Sequence, residues 1–121
     1  MNNIPTAVEH NLPVSWCILN DESYGSIRDI QTYVYNGRYL ATDLDVQPDF
    51  AKIAEANGCY GERVEASQDM AGALGRALEA NRRGRPAVLD FLVGHDRTVQ
   101  STDFFPIFRG EMYGVQVAAK K

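Results

Sequence analysis

The chain has 121 residues, of which 45% are hydrophobic, and carries a formal charge of −4 at pH 7 with a pI near 5.1. This length accommodates one globular domain and is too short for two. The acidic balance argues against a general binder of nucleic acid or anionic membranes, because phosphate groups attract a basic surface.

The sequence contains no segment suited to a membrane or to export. Its apolar runs are much shorter than the about 20 residues that a membrane-spanning helix requires, and the start MNNIPTAVEH lacks the regions of a signal peptide. We therefore expect a cytoplasmic protein. Cys17 and Cys59 have neither zinc-site nor disulfide spacing, so we expect two buried free thiols.

Helices and strands are predicted to alternate along the chain. The apolar runs VSWCIL and AVLDFLV lack strict alternation, which is typical of strands covered on both faces. In chain order the predicted elements are helix 4–10, strand 14–19, helix 25–35, loop 36–47, helix 48–58, strand 60–65, a helix following residue 67, and strand 87–93.

Local signals set the bounds and faces of the predicted helices. Pro13 closes the first helix, because proline cannot continue the hydrogen-bond ladder, and Pro48-Asp49 begins another. Asn57-Gly58 is a left-handed end signal. Ile27, Ile30 and Val34 share one face of the helix over 25–35. On the last helix, Met70, Leu74 and Leu78 repeat every four residues and are expected to face the core.

This order of elements predicts an α/β fold, a partial three-layer sandwich with a mostly parallel sheet. Ligands of such sheets bind at the carboxyl ends of strands, beside the N-termini of the following helices. The stretch ILNDESYGSIRDI, residues 18–30, places several oxygen-bearing side chains at that location.

Those side chains predict a magnesium site that bridges a diphosphate. Asp21 offers a carboxylate, Asn20 an amide and the turn at Ser23 its carbonyls, and Mg²⁺ prefers oxygen ligands that it shares with phosphate. Gly25 lets the backbone approach closely. An Asn-Asp turn that only caps a helix explains the same residues, so the residues alone leave both interpretations open.

The sequence also resembles a known family. TAVEHNLPV, ILNDESYGSIR, DLDVQPDFAKIAEANGCYGERVE and GRPAVLDFLV are similar, in this order, to the C-terminal diphosphate-binding domain of thiamine diphosphate-dependent enzymes of the acetolactate synthase and benzoylformate decarboxylase type. The resemblance spans residues 4–93.

The resemblance implies roles for residues of the turn. Asp21 occupies the second position of the family's Asn-Asn or Asn-Asp pair and would bind Mg²⁺ through its side chain, while Ser23 would contribute its backbone carbonyl. Asn20 would brace the turn. The implied cofactor-binding residues are Asn20, Asp21, Ser23, Tyr24, Gly25 and Ser26. No catalytic residue is implied within this chain.

The chain departs from the family pattern in three respects. The Gly-Asp-Gly half of the metal motif occurs nowhere in the 121 residues, and the resemblance places Met1 shortly after it. The pyrimidine-binding domain and its glutamate are absent as well. Ile30 stands where acetolactate synthases commonly have tryptophan. We therefore expect a C-terminal fragment of a longer enzyme.

The resulting expectation is a thiamine diphosphate and Mg²⁺-binding portion of a 2-oxo acid decarboxylase or carboligase, inactive alone. Residues 1–95 would form the partial cofactor-binding domain and residues 96–121 a tail. The complete enzyme would be a homodimer or tetramer, or would take its pyrimidine-binding domain from a partner chain.

The alternative is a non-catalytic α/β subunit that binds a larger partner through the aromatic cluster of residues 104–108. A magnesium-dependent phosphatase or a receiver domain is disfavoured, because the Asp-Asp cluster, phospho-acceptor aspartate and strand-end lysine of such proteins are not visible.

Overall fold

The computed structural model describes residues 3–94. Of these residues, one compact unit contains 3–20 and 46–93, and a second contains 21–45 and Gly94. The predicted tail, with its aromatic cluster at residues 104–108, lies outside the described residues. The elements are α1 (Ile4–Glu9), β1 (Ser15–Asn20), α2 (Gly25–Tyr33), α3 (Phe50–Ala56), β2 (Tyr60–Val64), a 3-10 turn (Ser67–Asp69), α4 (Met70–Arg82) and β3 (Ala87–Leu92).

The first unit is built on a parallel sheet of three strands in the order β1-β3-β2. β3 is buried from Ala87 to Phe91, as expected for a strand covered on both faces. In the register of the sheet, Asp90 of β3 lies beside Ile18 of β1 and Arg63 of β2. The prediction of an α/β fold with a parallel sheet is confirmed.

Helices cover both faces of this sheet. On one face Ile4 of α1 and Ala54 of α3 pack with Cys59 and Val88. On the other face Ala73 and Ala77 of α4 pack in a cluster that also contains Val64, Ala87, Leu89 and Phe91. The first unit therefore has three layers, which agrees with the predicted partial sandwich.

Three helices of the first unit end with the same backbone arrangement. The residue after each cap has a positive φ, which is 51° at Asn11, 88° at Gly58 and 75° at Gly84. The next N–H then donates back into the last turn, as Leu12 does to the carbonyl of Ala7 at 2.8 Å. The left-handed end predicted at Asn57-Gly58 is confirmed. The helix begins at Phe50, two residues later than predicted, and its cap is Asp49, whose carboxylate accepts from the Lys52 N–H at 2.9 Å.

The core stripe predicted on the last helix is wrong. Met70, Leu74 and Leu78 are 43%, 40% and 55% exposed, whereas Ala73 and Ala77 face the sheet. Both sets have a spacing of four residues, so periodicity does not distinguish them. The alanines allow the α4 backbone to approach the sheet closely, and the larger side chains of β3 fill the space between them.

The prediction that β1 is covered on both faces is also wrong. Its residues alternate in burial, with Cys17 exposed and Leu19 72% exposed. The expectation of two buried thiols therefore holds for Cys59 alone. β1 is an edge strand of the sheet, and on the side of Cys17 and Leu19 it lacks the full cover that β3 receives.

α3 lies unusually close to β2 because Gly61 has no side chain. A Cβ atom on Gly61 would lie 2.1 Å from the carbonyl oxygen of Ala51, far inside van der Waals contact. Backbone atoms cannot yield as a flexible side chain can. The close approach of α3 to the sheet therefore requires glycine at this position.

We predict that Gly61→Ala lowers the free energy of unfolding by at least about 2 kcal/mol, because the added methyl group forces α3 away from β2. Gly75→Ala is the matched control, since a Cβ on Gly75 of α4 would meet no atom within 4 Å. Removing glycine from a helix interior stabilises by about 0.5–1 kcal/mol. Urea-induced unfolding of both variants measures the difference, and equal effects would contradict the close approach.

Candidate functional site

Asn20 ends β1 and belongs to the first unit. It is 8% exposed, and its carbonyl oxygen accepts from the Val93 N–H at 2.8 Å. Its side-chain Nδ2 donates to the Asp90 carboxylate in a long hydrogen bond of 3.5 Å. Both the backbone and the amide of this predicted site residue are therefore held by β3 and the residue that follows it.

The other predicted site residues belong to the second unit, where they form a turn and the start of α2. The Asp21 carboxylate accepts from the Ser23 N–H at 3.3 Å, which is the Asx turn expected of an aspartate at this place. Glu22 has φ 55°, a left-handed conformation that costs a residue with a side chain about 1–2 kcal/mol. The turn is thus sharply bent between Asp21 and Ser23.

Residues 42–44 support this turn from the side. Ser23 and Asp43 form an isolated antiparallel bridge, the Tyr24 N–H donates to the Thr42 carbonyl at 2.8 Å, and the Leu44 N–H donates to the Glu22 carbonyl at 3.4 Å. The backbone of the turn is therefore fixed by a short, two-stranded contact.

Several polar atoms of the turn have no protein partner among the described residues. The Ser23 hydroxyl oxygen is buried without a hydrogen bond, and no described N–H donates to the Ser23 carbonyl. The N–H groups of Gly25 and Ser26 at the start of α2 likewise have no described acceptor. Oxygen ligands and N–H donors are both available within residues 23–26.

The three apolar residues predicted to share one face of α2 are exposed or half-buried. Ile27 is 53% and Val34 37% exposed, Ile30 is half-buried, and Asp29 is buried. The helix also ends at Tyr33, two residues earlier than predicted.

Side chains of α2 hold the loop over residues 39–43. Arg28 pairs with Asp43 at 2.7 Å, and its guanidinium lies 4.6 Å from the centre of the Tyr39 ring. Gln31 accepts from the Leu40 N–H at 2.9 Å and from the Thr42 hydroxyl at 3.2 Å, and donates to the Leu40 carbonyl at 3.1 Å. Gln31 therefore fixes the loop whose Thr42 carbonyl supports the turn.

The structure adds residues that the sequence interpretation missed. No sequence pattern singles out Gln31, Thr42 or the Arg28–Asp43 pair. A pattern does single out Asp90, because it is the only charged side chain within the apolar run AVLDFLV.

Within residues 3–94, no group of three or more His, Cys, Asp or Glu side chains is arranged to hold a metal ion. The same part of the chain contains no helix long and apolar enough to cross a membrane.

A model of the protein family described as thiamine pyrophosphate enzyme, C-terminal TPP binding domain, matches residues 1–91. The chain belongs to this family. Thiamine pyrophosphate (TPP) is another name for thiamine diphosphate. The match includes the turn after β1 and the whole of α2. The resemblance identified from the sequence motifs is thereby confirmed.

Similar proteins include acetolactate synthases. The chain is 36% identical over 100 residues to acetolactate synthase of Mycobacterium leprae and 35% identical over 100 residues to the acetolactate synthase large subunit of Corynebacterium glutamicum, each covering 79% of the chain. It is 30% identical over 93 residues, 77% of the chain, to the acetolactate synthase isozyme 3 large subunit of Escherichia coli. The matched region is 16% of the length of each relative.

We predict that Gln31→Leu frees the loop over residues 39–43, because the Leu40 N–H loses its acceptor. Hydrogen exchange at Leu40 should become about fivefold faster, the equivalent of about 1 kcal/mol for one net hydrogen bond. Gln31→Glu is the comparison variant, since its carboxylate still accepts from the Leu40 N–H but cannot donate to the Leu40 carbonyl. Its exchange rate should lie between those of the unmodified protein and Gln31→Leu. Unchanged exchange in Gln31→Leu would contradict this role.

Proposed function

We propose that this chain is the thiamine diphosphate and Mg²⁺-binding portion of a 2-oxo acid decarboxylase or carboligase of the acetolactate synthase type. The family match and the acetolactate synthase relatives support the cofactor. The proposed cofactor-binding residues are Asn20, Asp21, Ser23, Tyr24, Gly25 and Ser26.

The donor set of the turn fits magnesium. Asp21 offers a carboxylate and Ser23 a carbonyl that no described N–H uses, and Mg²⁺ favours such hard oxygen ligands. These two groups are our proposed metal ligands. Because Mg²⁺ needs near-octahedral coordination, phosphate oxygens and water would supply the remaining ligands.

The start of α2 fits a diphosphate. The N–H groups of Gly25 and Ser26 have no described acceptor, and a helix N-terminus favours negative charge. The buried Ser23 hydroxyl without a partner is the single observation that carries the proposal most directly, because a helix-capping turn alone gives no reason to bury it unsatisfied.

The chemistry of the complete enzyme would come largely from the cofactor. When bound, thiamine diphosphate supplies a thiazolium ring that acts as the electron sink for loss of CO₂ from a 2-oxo acid. The residues of this chain would anchor the diphosphate and fix its position. We propose that the chain does not catalyse the reaction by itself, because its 121 residues contain neither Gly-Asp-Gly nor a pyrimidine-binding domain.

Assembly and location also belong to this proposal. We propose a homodimer or tetramer, or a partner chain that supplies the pyrimidine-binding domain, in the cytoplasm. The match over residues 1–91 supports a cofactor-binding domain over residues 1–95 followed by a tail. The alternative, a non-catalytic interaction subunit, is not favoured by any observation in the described residues.

We predict that thiamine diphosphate with Mg²⁺ raises the thermal unfolding midpoint of the chain, because a ligand that binds only the folded state stabilises it. At a concentration of 100 times Kd the stabilisation is about 2.7 kcal/mol. Asp21→Ala should abolish the shift by removing a metal ligand.

Asp45→Ala is the matched control, since Asp45 is an exposed carboxylate of the same unit and should leave the shift intact. Absence of a shift in the unmodified protein, or an equal shift in Asp21→Ala, would contradict the proposed function.

A further inference from the structure

Three polar side chains lie next to one another across the sheet of the first unit. They are Asn20 on β1, Asp90 on β3 and Arg63 on β2. Asp90 is fully buried, and its side chain lies on the same face of β3 as Val88, which belongs to a core cluster. Arg63 Nη1 lies 3.8 Å from Asp90 Oδ2, and Asn20 Nδ2 lies 3.5 Å from the same oxygen.

Stability alone gives a poor explanation of a carboxylate at the centre of the sheet. Taking two charges out of water is costly, and buried ion pairs can often be replaced by apolar residues without loss of stability. An apolar residue at position 90 would also continue the pattern of its neighbours Leu89 and Phe91. A role of Asp90 in orienting a neighbouring side chain would explain why a carboxylate is buried here.

The carboxylate of Asp90 fixes the orientation of the Asn20 amide. The carboxyl oxygen Oδ2 of Asp90 accepts from the Nδ2 end of the amide, so the carbonyl end is turned away. The positive charge of Arg63 faces the same oxygen. The backbone of Asn20 is fixed separately, through its carbonyl and the Val93 N–H.

We propose that Asp90 is a positioning residue for the cofactor site, acting through Asn20. Asn20 is itself one of the proposed cofactor-binding residues, so Asp90 would act by holding the Asn20 amide in one orientation. This inference rests on the proposed function, and adds to it a residue 70 positions away in the sequence.

The first test measures the amide directly and needs no cofactor. In the nuclear magnetic resonance spectrum of the unmodified protein, the side-chain NH₂ protons of Asn20 should exchange more slowly with solvent than those of Asn36, an exposed residue. Asp90→Asn should shift the Asn20 signal and speed its exchange, because the new amide no longer selects one end of Asn20. The exchange rate of the Asn20 amide in the unmodified protein tests whether this amide is held in place, even if Asp90→Asn does not fold.

The second test is a double-mutant cycle on the Kd of thiamine diphosphate with Mg²⁺. Asp90→Asn should weaken binding about tenfold, as loss of a residue that orients a ligand commonly does. In an Asn20→Ala background the same change should have almost no effect on Kd, because Asp90 then has no Asn20 amide to orient.

Glu62→Gln provides the control for a merely structural role. Glu62 of β2 also pairs with an arginine, Arg76 of α4, and the hydrogen bonds from Arg76 hold the pKa of its carboxyl below the usual value. This variant should lose stability while the Asn20 signal and the Kd stay unchanged.

The outcomes separate this inference from the proposed function. Binding by the unmodified protein with additive effects of Asp90→Asn and Asn20→Ala overturns the role of Asp90 and leaves the cofactor site intact. Absence of binding by the unmodified protein overturns both the cofactor site and the role of Asp90 in it. A rapidly exchanging Asn20 amide in the unmodified protein overturns the positioning itself.

Discussion

The structure of the first unit depends on the burial of β3 between two layers of helices. A strand covered on both faces must be apolar, and β3 is so from Ala87 to Leu89 and again at Phe91. β1 and β2 pair with its two edges. α4 approaches the sheet closely because its alanines face the sheet, and α3 approaches closely because Gly61 of β2 has no side chain. Asp90 is the exception within β3, and it lies beside the residue that ends β1.

The turn after β1 has two energetically unfavourable features that a simple connection between a strand and a helix would avoid. Glu22 adopts a left-handed conformation and the Ser23 hydroxyl is buried without a described partner. Such costs concentrate at ligand sites, where the surrounding structure holds a conformation that the chain alone disfavours. Here the bridge to Asp43 and the contacts of Gln31 supply that support within the second unit. The same turn contains the residues that we propose bind the metal, Asp21 and Ser23.

The sequence predicted the elements well and the buried faces poorly. The end of α3 at Asn57-Gly58 was predictable because a positive φ depends on local residues, whereas the helix begins two residues after Pro48, at Phe50. The buried face of α4 was not predictable, since alanines and larger apolar residues share the same spacing and only the sheet decides between them. For the candidate site, the motif predicts the turn from Asn20 to Ser26, while the contacts of Gln31 and Asp90 form only in the folded chain.

The most direct test of the account is to locate the metal. Mn²⁺ takes oxygen ligands as Mg²⁺ does and, being paramagnetic, broadens the nuclear magnetic resonance signals of nearby nuclei. Titration of the protein with Mn²⁺ and thiamine diphosphate should broaden the backbone amide signals of Asp21, Ser23 and Gly25 first, and omission of the thiamine diphosphate should weaken the effect. Broadening centred elsewhere, such as on Glu62 or Glu79, or no broadening at all, would contradict a cofactor site at this turn.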